Sequence, residues 1–241
     1  MTSNKCPILY CCSLPDKHPR FSVKNGVLLP ILAGAACHAD ATKKDLTQRG
    51  WLMDDHGNNI SSVNSIFGDL TTLYWAWKNS SGSHLGVCQY RRSWDDEEVG
   101  QSAEDVLYIP EGQYFPEGSM QRQYEVWHGI FPAVEISRKL ANERKIPLTV
   151  EMLDYAWTKG AFYGCNMVRG PRTAFDKFCE LVFTTMIPFY NENIELCESL
   201  RGYNRRSIAF TAERMISALL VHRHYFFGSQ KIKSAKIHVI N

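Results

Sequence analysis

The sequence predicts a compact α/β domain, a three-layer sandwich around a mostly parallel central sheet. Two observations carry this: short apolar runs alternate with stretches of helical periodicity along the chain, and no internal repeat or low-complexity tract interrupts them. A third is composition. With 241 residues, 44% apolar and 22% charged, the chain can bury roughly 70% of its unfolded surface without a disulfide or metal staple. One domain over 1–241 is expected, in three stretches, 5–115, 116–228 and a basic tail over 229–241.

Pro7 to Ser13, with Ile8, Leu9 and Tyr10, reads as a first buried strand, too short for the hydrophobic region of a signal peptide. Leu28 to Ala36, rich in Ala and Gly, reads as a helix or ordered loop leading into the charged Asp40 to Arg49. Asp54 to Asn59 concentrates turn formers and marks an exposed loop. Phe67 to Asn79 has helical spacing of Leu70, Leu73, Tyr74 and Trp77, and His84 to Tyr90 reads as a central strand. After the acidic Asp95 to Glu98, Asp105 to Pro110 is another strand. Tyr124 to Glu143 is a helix interrupted by Pro132, Thr149 to Thr158 a shorter one, and Phe162 to Val168 a further strand. Arg172 to Pro188 and Arg206 to Tyr225 are long apolar-striped helices. Lys231, Lys233, Lys236 and His238 stand among aliphatic residues, either as a terminal strand or as a basic tail resting on an acidic membrane surface.

Charge narrows the function classes. Twenty-seven basic against 25 acidic side chains leave a net charge of +2, with no concentrated basic stripe, so no nucleic-acid partner is expected. Any anion must be met by local arginines. The eight cysteines at 6, 11, 12, 37, 88, 165, 179 and 197 form no CxxC and no metal-spaced cluster, which fits reduced, buried thiols and a cytoplasmic setting. No apolar stretch is long enough for a transmembrane helix.

Arg91 and Arg92 directly follow the central strand, where open α/β sheets bind ligands, and their planar forks match phosphate or carboxylate oxygens. The plainer role is to pin the acidic loop at Asp95 to Glu98. Asp54, Asp55, Asn58 and Asn59 can hold ribose or uracil by hydrogen bonds, or simply cap an Asx turn. Asp69 is a helix N-cap or a site carboxylate. Among Tyr74, Trp75 and Trp77, one ring is free to stack on a sugar or base while the other two face the core. His128 has the intrinsic pKa of a base but is also an ordinary structural histidine. Asn166, in an apolar run, needs partners that a ligand would supply. Arg205 and Arg206 lie about two turns before Glu213 on one helix, which suits a cation near a diphosphate and a carboxylate nearer an acceptor, or a solvent-exposed ion-pair ladder.

Three stretches, DDHGNNISSVNSIFGDLTTLYWAWKN, LGVCQYRRSW and RRSIAFTAERM, resemble a bacterial family of capsular and exopolysaccharide glycosyltransferases marked by ELTxLYWxWKN and HYRRY blocks. The resemblance runs from about Ile8 to Leu220. It implies a glycosyltransferase-A-like fold with a nucleotide-binding side over 5–115 and an acceptor side over 116–228, a uridine-diphosphate-sugar donor (galactofuranose or another hexose) and a glycan or lipid-linked saccharide acceptor. Membership would place the protein in the cytoplasm or at the inner membrane face, with peripheral membrane contact through the basic C-terminus. By position it implies Asp55, Asn59, Asn64, Tyr90, Arg91, Arg92 and Arg206 on the donor side, and Trp77, Lys78, Asn79 and Asn166 on the sugar or acceptor side. Glu213, then Asp69, then His128 are the candidate general bases.

Gln89 stands where the family usually has His, Asp69 where it has Glu, and Ser93-Trp94 replaces an aromatic pair. Arginines in place of an Asp-x-Asp imply a metal-independent enzyme with no cofactor, Mn2+ or Mg2+ at Asp95-Asp96 being the rival. The competing class is a non-catalytic glycan- or nucleotide-binding relative.

Overall fold

The computed structural model describes residues 7–23, 26–95, 105–115 and 118–240. The chain forms two compact units, one built from Met1–Glu111, Met167–Cys179 and Gln230–Asn241, the other from Gly112–Asn166 and Glu180–Ser229.

The first unit holds the sheet. Its strands are β1 (Ile8–Ser13), β2 (Val27–Leu32), β3 (Leu52–Met53), β4 (His84–Gln89), β5 (Arg92–Trp94), β6 (Val106–Pro110), β7 (Arg169–Pro171), β8 (Lys231–Ala235) and β9 (Ile237–Val239). Their order is β3-β2-β1-β4-β7-β6-β8, with β5 joining β4 to β9. Every residue of β6 is buried, and so are the middle four of β4. Such unbroken burial belongs to strands covered on both faces. Helix α1 (Asp40–Gln48) lies against β3, and α3 (Leu70–Asn79), preceded by the single turn α2 (Asn64–Phe67), lies against β1 and β4. Tyr10 of β1 meets Trp75 of α3 edge-on and donates its hydroxyl to Ser80 Oγ at 2.8 Å.

The sheet is mixed, which corrects the expectation of a mostly parallel one. β1–β2, β2–β3, β1–β4 and β6–β8 run parallel, while β4–β5, β4–β7, β5–β9 and β6–β7 run antiparallel. Parallel neighbours need a crossover of a dozen or more residues. Two residues separate β4 from β5, so β5 must double back. Apolar runs reveal burial but carry no direction, and this could not be read from them.

Other boundaries also move. Leu28 to Ala36 is strand β2 followed by a 3-10 turn at Ala35–Cys37, not a helix. Pro30 is tolerated because β3 pairs only with Ile31 and Leu32, leaving no ladder bond for Pro30 to donate. Gly68, with φ 56°, separates α2 from α3, so the helix read over Phe67 to Asn79 runs from Leu70, with Asp69 at its start. The expected strand at Phe162 to Val168 is irregular: Phe162 bridges Gln113, Cys165 and Asn166 adopt left-handed φ values of 76° and 49°, and the strand starts at Arg169. The C-terminal segment is strand, with β8 beside β6 and β9 beside β5. The stretch 1–6 and the acidic residues 96–98 lie outside the described residues.

The second unit is helical: α4 (Met120–His128), α5 (Ala133–Asn142), α6 (Val150–Lys159), the end of α7 (Arg172–Asn191), α8 (Ile194–Ser199), α9 (Ser207–Val221) and α10 (Arg223–Phe227). Ser119 and Thr149 cap α4 and α6, their hydroxyls accepting from the amides of Arg122 and Met152. α9 packs against α4 and α6 and is buried nearly all round, beyond the single apolar stripe its sequence shows.

One carboxylate organises the ends of the parallel strands. Asp54 follows β3 and is fully buried. Its Oδ2 accepts from Gly34 N and its Oδ1 from Ala35 N, both at 2.9 Å, and Ser61 Oγ also donates to Oδ1. Asp54→Ala strands these donors and should lower unfolding stability by about 3 kcal/mol, seen as a lower urea midpoint at unchanged slope.

Candidate functional site

In the first unit, β1 to β4 are mutually parallel, so their carboxyl ends share one edge of the sheet. The loop after β3 is stapled to α3 there. Asn79 Oδ1 accepts from Asn58 N at 3.1 Å, and its Nδ2 donates to Asn58 O and Trp75 O. Tyr74 donates to Asn58 Oδ1, and Trp75 Nε1 to His56 O. Gly57 is required here: its φ is 63°, and a Cβ would come within 2.0 Å of Asn79 Oδ1.

Several of the expected ligand groups are engaged within the scaffold. Asn59 closes an Asx turn, its Oδ1 accepting from Ser61 N and its Nδ2 donating to Gly57 O. Asn64 Nδ2 donates to Gly68 O at 2.7 Å and Thr71 Oγ1 at 2.9 Å, holding the α2–α3 break. Asp55 pairs with Lys43 at 3.1 Å. Lys78 lies over the Trp77 ring at 3.3 Å, which fills that face of the indole.

What remains at the edge is a polar relay. Gln89, the last residue of β4, donates through Nε2 to Asp69 Oδ2, while its Oε1 accepts from Arg92 Nη1. The hairpin register sets Gln89 opposite Arg92. Asp69 precedes α3 but its side chain makes no cap bond; it is turned to Gln89 instead. Burial and, second, the Asp69 charge push the Cys12 thiol well above its ordinary range, so it is an inert neighbour. Arg91 is exposed in the turn, its guanidinium 5.8 Å from the Tyr90 ring. β9 anchors this hairpin through Ile240 N to Arg91 O and through His238 to Asp95 at 3.0 Å. Asp96, the other half of the rival metal pair, lies outside the described residues. Among the described residues no three His, Cys, Asp or Glu side chains gather at metal-binding spacing.

The second unit contains a separate buried cluster. Glu213 Oε1 accepts from Cys165 N at 2.8 Å and Oε2 pairs with Arg214 at 3.1 Å. The favoured base candidate therefore holds the left-handed Cys165-Asn166 turn. Arg214 is 1% exposed, donates to Phe210 O and Gln123 Oε1, and lies between the Tyr124 and Phe162 rings at 5.2 and 4.6 Å. Desolvation lowers its pKa, opposed by Glu213. Burial keeps the Tyr124 phenol protonated, its pKa pushed up to about 12. His128 stacks on Phe210 at 4.0 Å, and its pKa is lowered to about 4 by burial first and the Arg214 charge second. Its ring is neutral at pH 7 and a weak proton acceptor. Arg206 is exposed, 5.6 Å from the Phe210 ring.

Asp54, read from the sequence as a ribose or uracil partner or an Asx cap, is a buried anchor. Gln89 and Arg214 were given no role; for Arg214 a signal existed, since an arginine among Ala, Met, Ile and Ser needs partners wherever it is buried.

Residues 16–224 match the family described as "Domain of unknown function (DUF4422)". The chain belongs to this family. No curated protein matches it. Among solved structures, the apo structure of the WbbM bifunctional glycosyltransferase is similar, with a TM-score of 0.69 and 20% identity over 98% of this chain. The likeness spans 45% of that longer chain. The DUF4422 chain thus shares an α/β fold with a glycosyltransferase structure, and no helix among its described residues is long and apolar enough to cross a membrane.

The His128 shift has a consequence for stability. Between the unfolded pKa near 6.5 and the folded value near 4 the unfolded chain binds the extra proton, so stability falls as pH drops through that window. His128→Phe should remove this component, on the order of 1–3 kcal/mol, in urea titrations at pH 7 and pH 4.5.

Proposed function

We propose that this DUF4422 chain transfers a sugar from a uridine-diphosphate donor to a glycan or lipid-linked saccharide acceptor, on a glycosyltransferase-A-like three-layer frame. The observation that carries this is the Asp69–Gln89–Arg92 relay at the carboxyl edge of parallel strands, the place where α/β sheets take ligands. The shared fold with the WbbM chain supports it.

In this reading the acceptor oxygen attacks the anomeric carbon, the bond from that carbon to the diphosphate oxygen breaks, and the electron pair leaves with the diphosphate. Arg91 and Arg92 stabilise the growing charge. Asp69 takes the acceptor proton, because Glu213 is committed to Cys165 N and Arg214, and His128 is a weak base. Residues 89–91, Gln-Tyr-Arg, offer no carboxylate pair to a divalent ion, so the arginines act in its stead. The described cysteines are free thiols, in keeping with a reducing compartment.

The test is release of uridine diphosphate from a panel of donor sugars, with and without saccharide acceptors. Arg92→Ala should cost about 100-fold in turnover, with Arg92→Lys recovering part of it, and Asp69→Asn should abolish transfer while leaving donor binding. Activity should survive a chelator. A protein that binds donor sugars, seen as a raised melting temperature, yet never releases nucleotide would belong to the rival class of non-catalytic binders. One that responds to no nucleotide sugar would end both readings.

A further inference from the structure

The second unit carries an apolar surface that none of the chemistry above uses. At the end of α4, Val126 and Trp127 are 64% and 66% exposed, and Ile130, in the turn that follows, is 62% exposed. Ile130 thus lies three residues beyond Trp127 at the same end of the helix. An Ile, a Val and a Trp on one solvent-facing helix end are out of keeping with a sugar platform, which uses ring faces alone.

The His128 stack joins this corner to a cationic one. His128 lies against Phe210 at 4.0 Å and against Tyr203 at 5.8 Å, so the end of α4 sits beside the 3-10 turn Gly202–Arg206. Tyr203 is 61% exposed, and Arg205 and Arg206 are exposed and form no ion pair among the described residues. The acid nearest in sequence, Glu125, faces Arg122 at 3.9 Å. His128 itself is neutral at pH 7, so nothing at the centre of the patch opposes insertion.

We propose that this corner of the second unit, Val126, Trp127 and Ile130 with Tyr203, Arg205 and Arg206, docks on an anionic lipid surface. The aliphatic and indole groups enter the headgroup boundary, where Trp and Tyr are at home, and the two guanidinium groups meet lipid phosphates. Charge complementarity selects this occupant over an uncharged one. The site is distinct from the C-terminal lysines, which belong to strands of the first unit. The inference is independent of sugar transfer, since docking needs no donor.

The experiment is co-sedimentation of the whole chain with phosphatidylcholine vesicles, with and without phosphatidylglycerol, alongside gel filtration. The chain should sediment with the anionic vesicles and stay in solution with the neutral ones. Trp127→Ser with Ile130→Ser should weaken binding at least about tenfold, and Arg205→Glu by about fivefold or more, with melting temperatures unchanged because these side chains are exposed. Lys233→Glu should leave binding intact. Absence of sedimentation, equal binding by the Trp127/Ile130 double variant, or a dimer that this variant dissolves without any vesicle binding would each overturn the proposal, the last in favour of a second copy as occupant.

Discussion

The edge of the sheet depends on a buried carboxyl group that never meets solvent. Asp54 gathers Gly34 N, Ala35 N and Ser61 Oγ, tying the end of β2 to both ends of the loop that follows β3. A carboxyl group without such donors would be costly to bury; with them it is a rigid node. Gly34 itself must be glycine, because its φ is 71° and a Cβ would collide with Asn64. Asn64 in turn holds Gly68 O and Thr71 Oγ1, which fixes where α3 begins and hence where Asp69 stands. The chain of dependence from Asp54 to Asp69 runs through hydrogen bonds and one close approach, beside the buried Ile66, Phe67 and Leu70.

The second unit solves a related problem with a cation. Arg214 is enclosed by two rings and relieved by Phe210 O, Gln123 and Glu213. A buried arginine whose partner is removed is far worse than an apolar residue in its place, so Glu213 and Gln123 are held by structural need. Glu213 also spans to Cys165 N and stabilises two successive left-handed residues, a conformation that side chains other than Gly and Asn rarely adopt. Strain there is offset by a charge-assisted bond.

The apolar record of the sequence was largely legible. The strands at 8–13, 84–89 and 106–110 and the helices over 172–191 and 207–221 follow from runs and periodicity, because burial leaves a direct trace in composition. Strand direction leaves none, and the mixed sheet went unread. Leu28 to Ala36 was misread because its alanines and glycine report the tight turn after β2, not the strand before it. At the edge of the sheet, the place of Arg91 and Arg92 just after β4 was legible from the apolar run before them, whereas the hydrogen bonds that Asn59, Asn64 and Asn79 make were not. An amide that captures a ligand and an amide that captures a loop have the same sequence, and only distances separate them.

Gln89 shows which chemistry its position asks for. Histidine, the residue that the resemblance read from the sequence implies there, can as a neutral imidazole donate from one nitrogen and accept at the other. Glutamine does the same from its amide, donating to Asp69 and accepting from Arg92. Protonated histidine would have two donors and none to offer a guanidinium, so acid would break that version of the relay. The amide has no such transition. The amide of Gln89 therefore connects a carboxylate to a cation without a titration of its own between them.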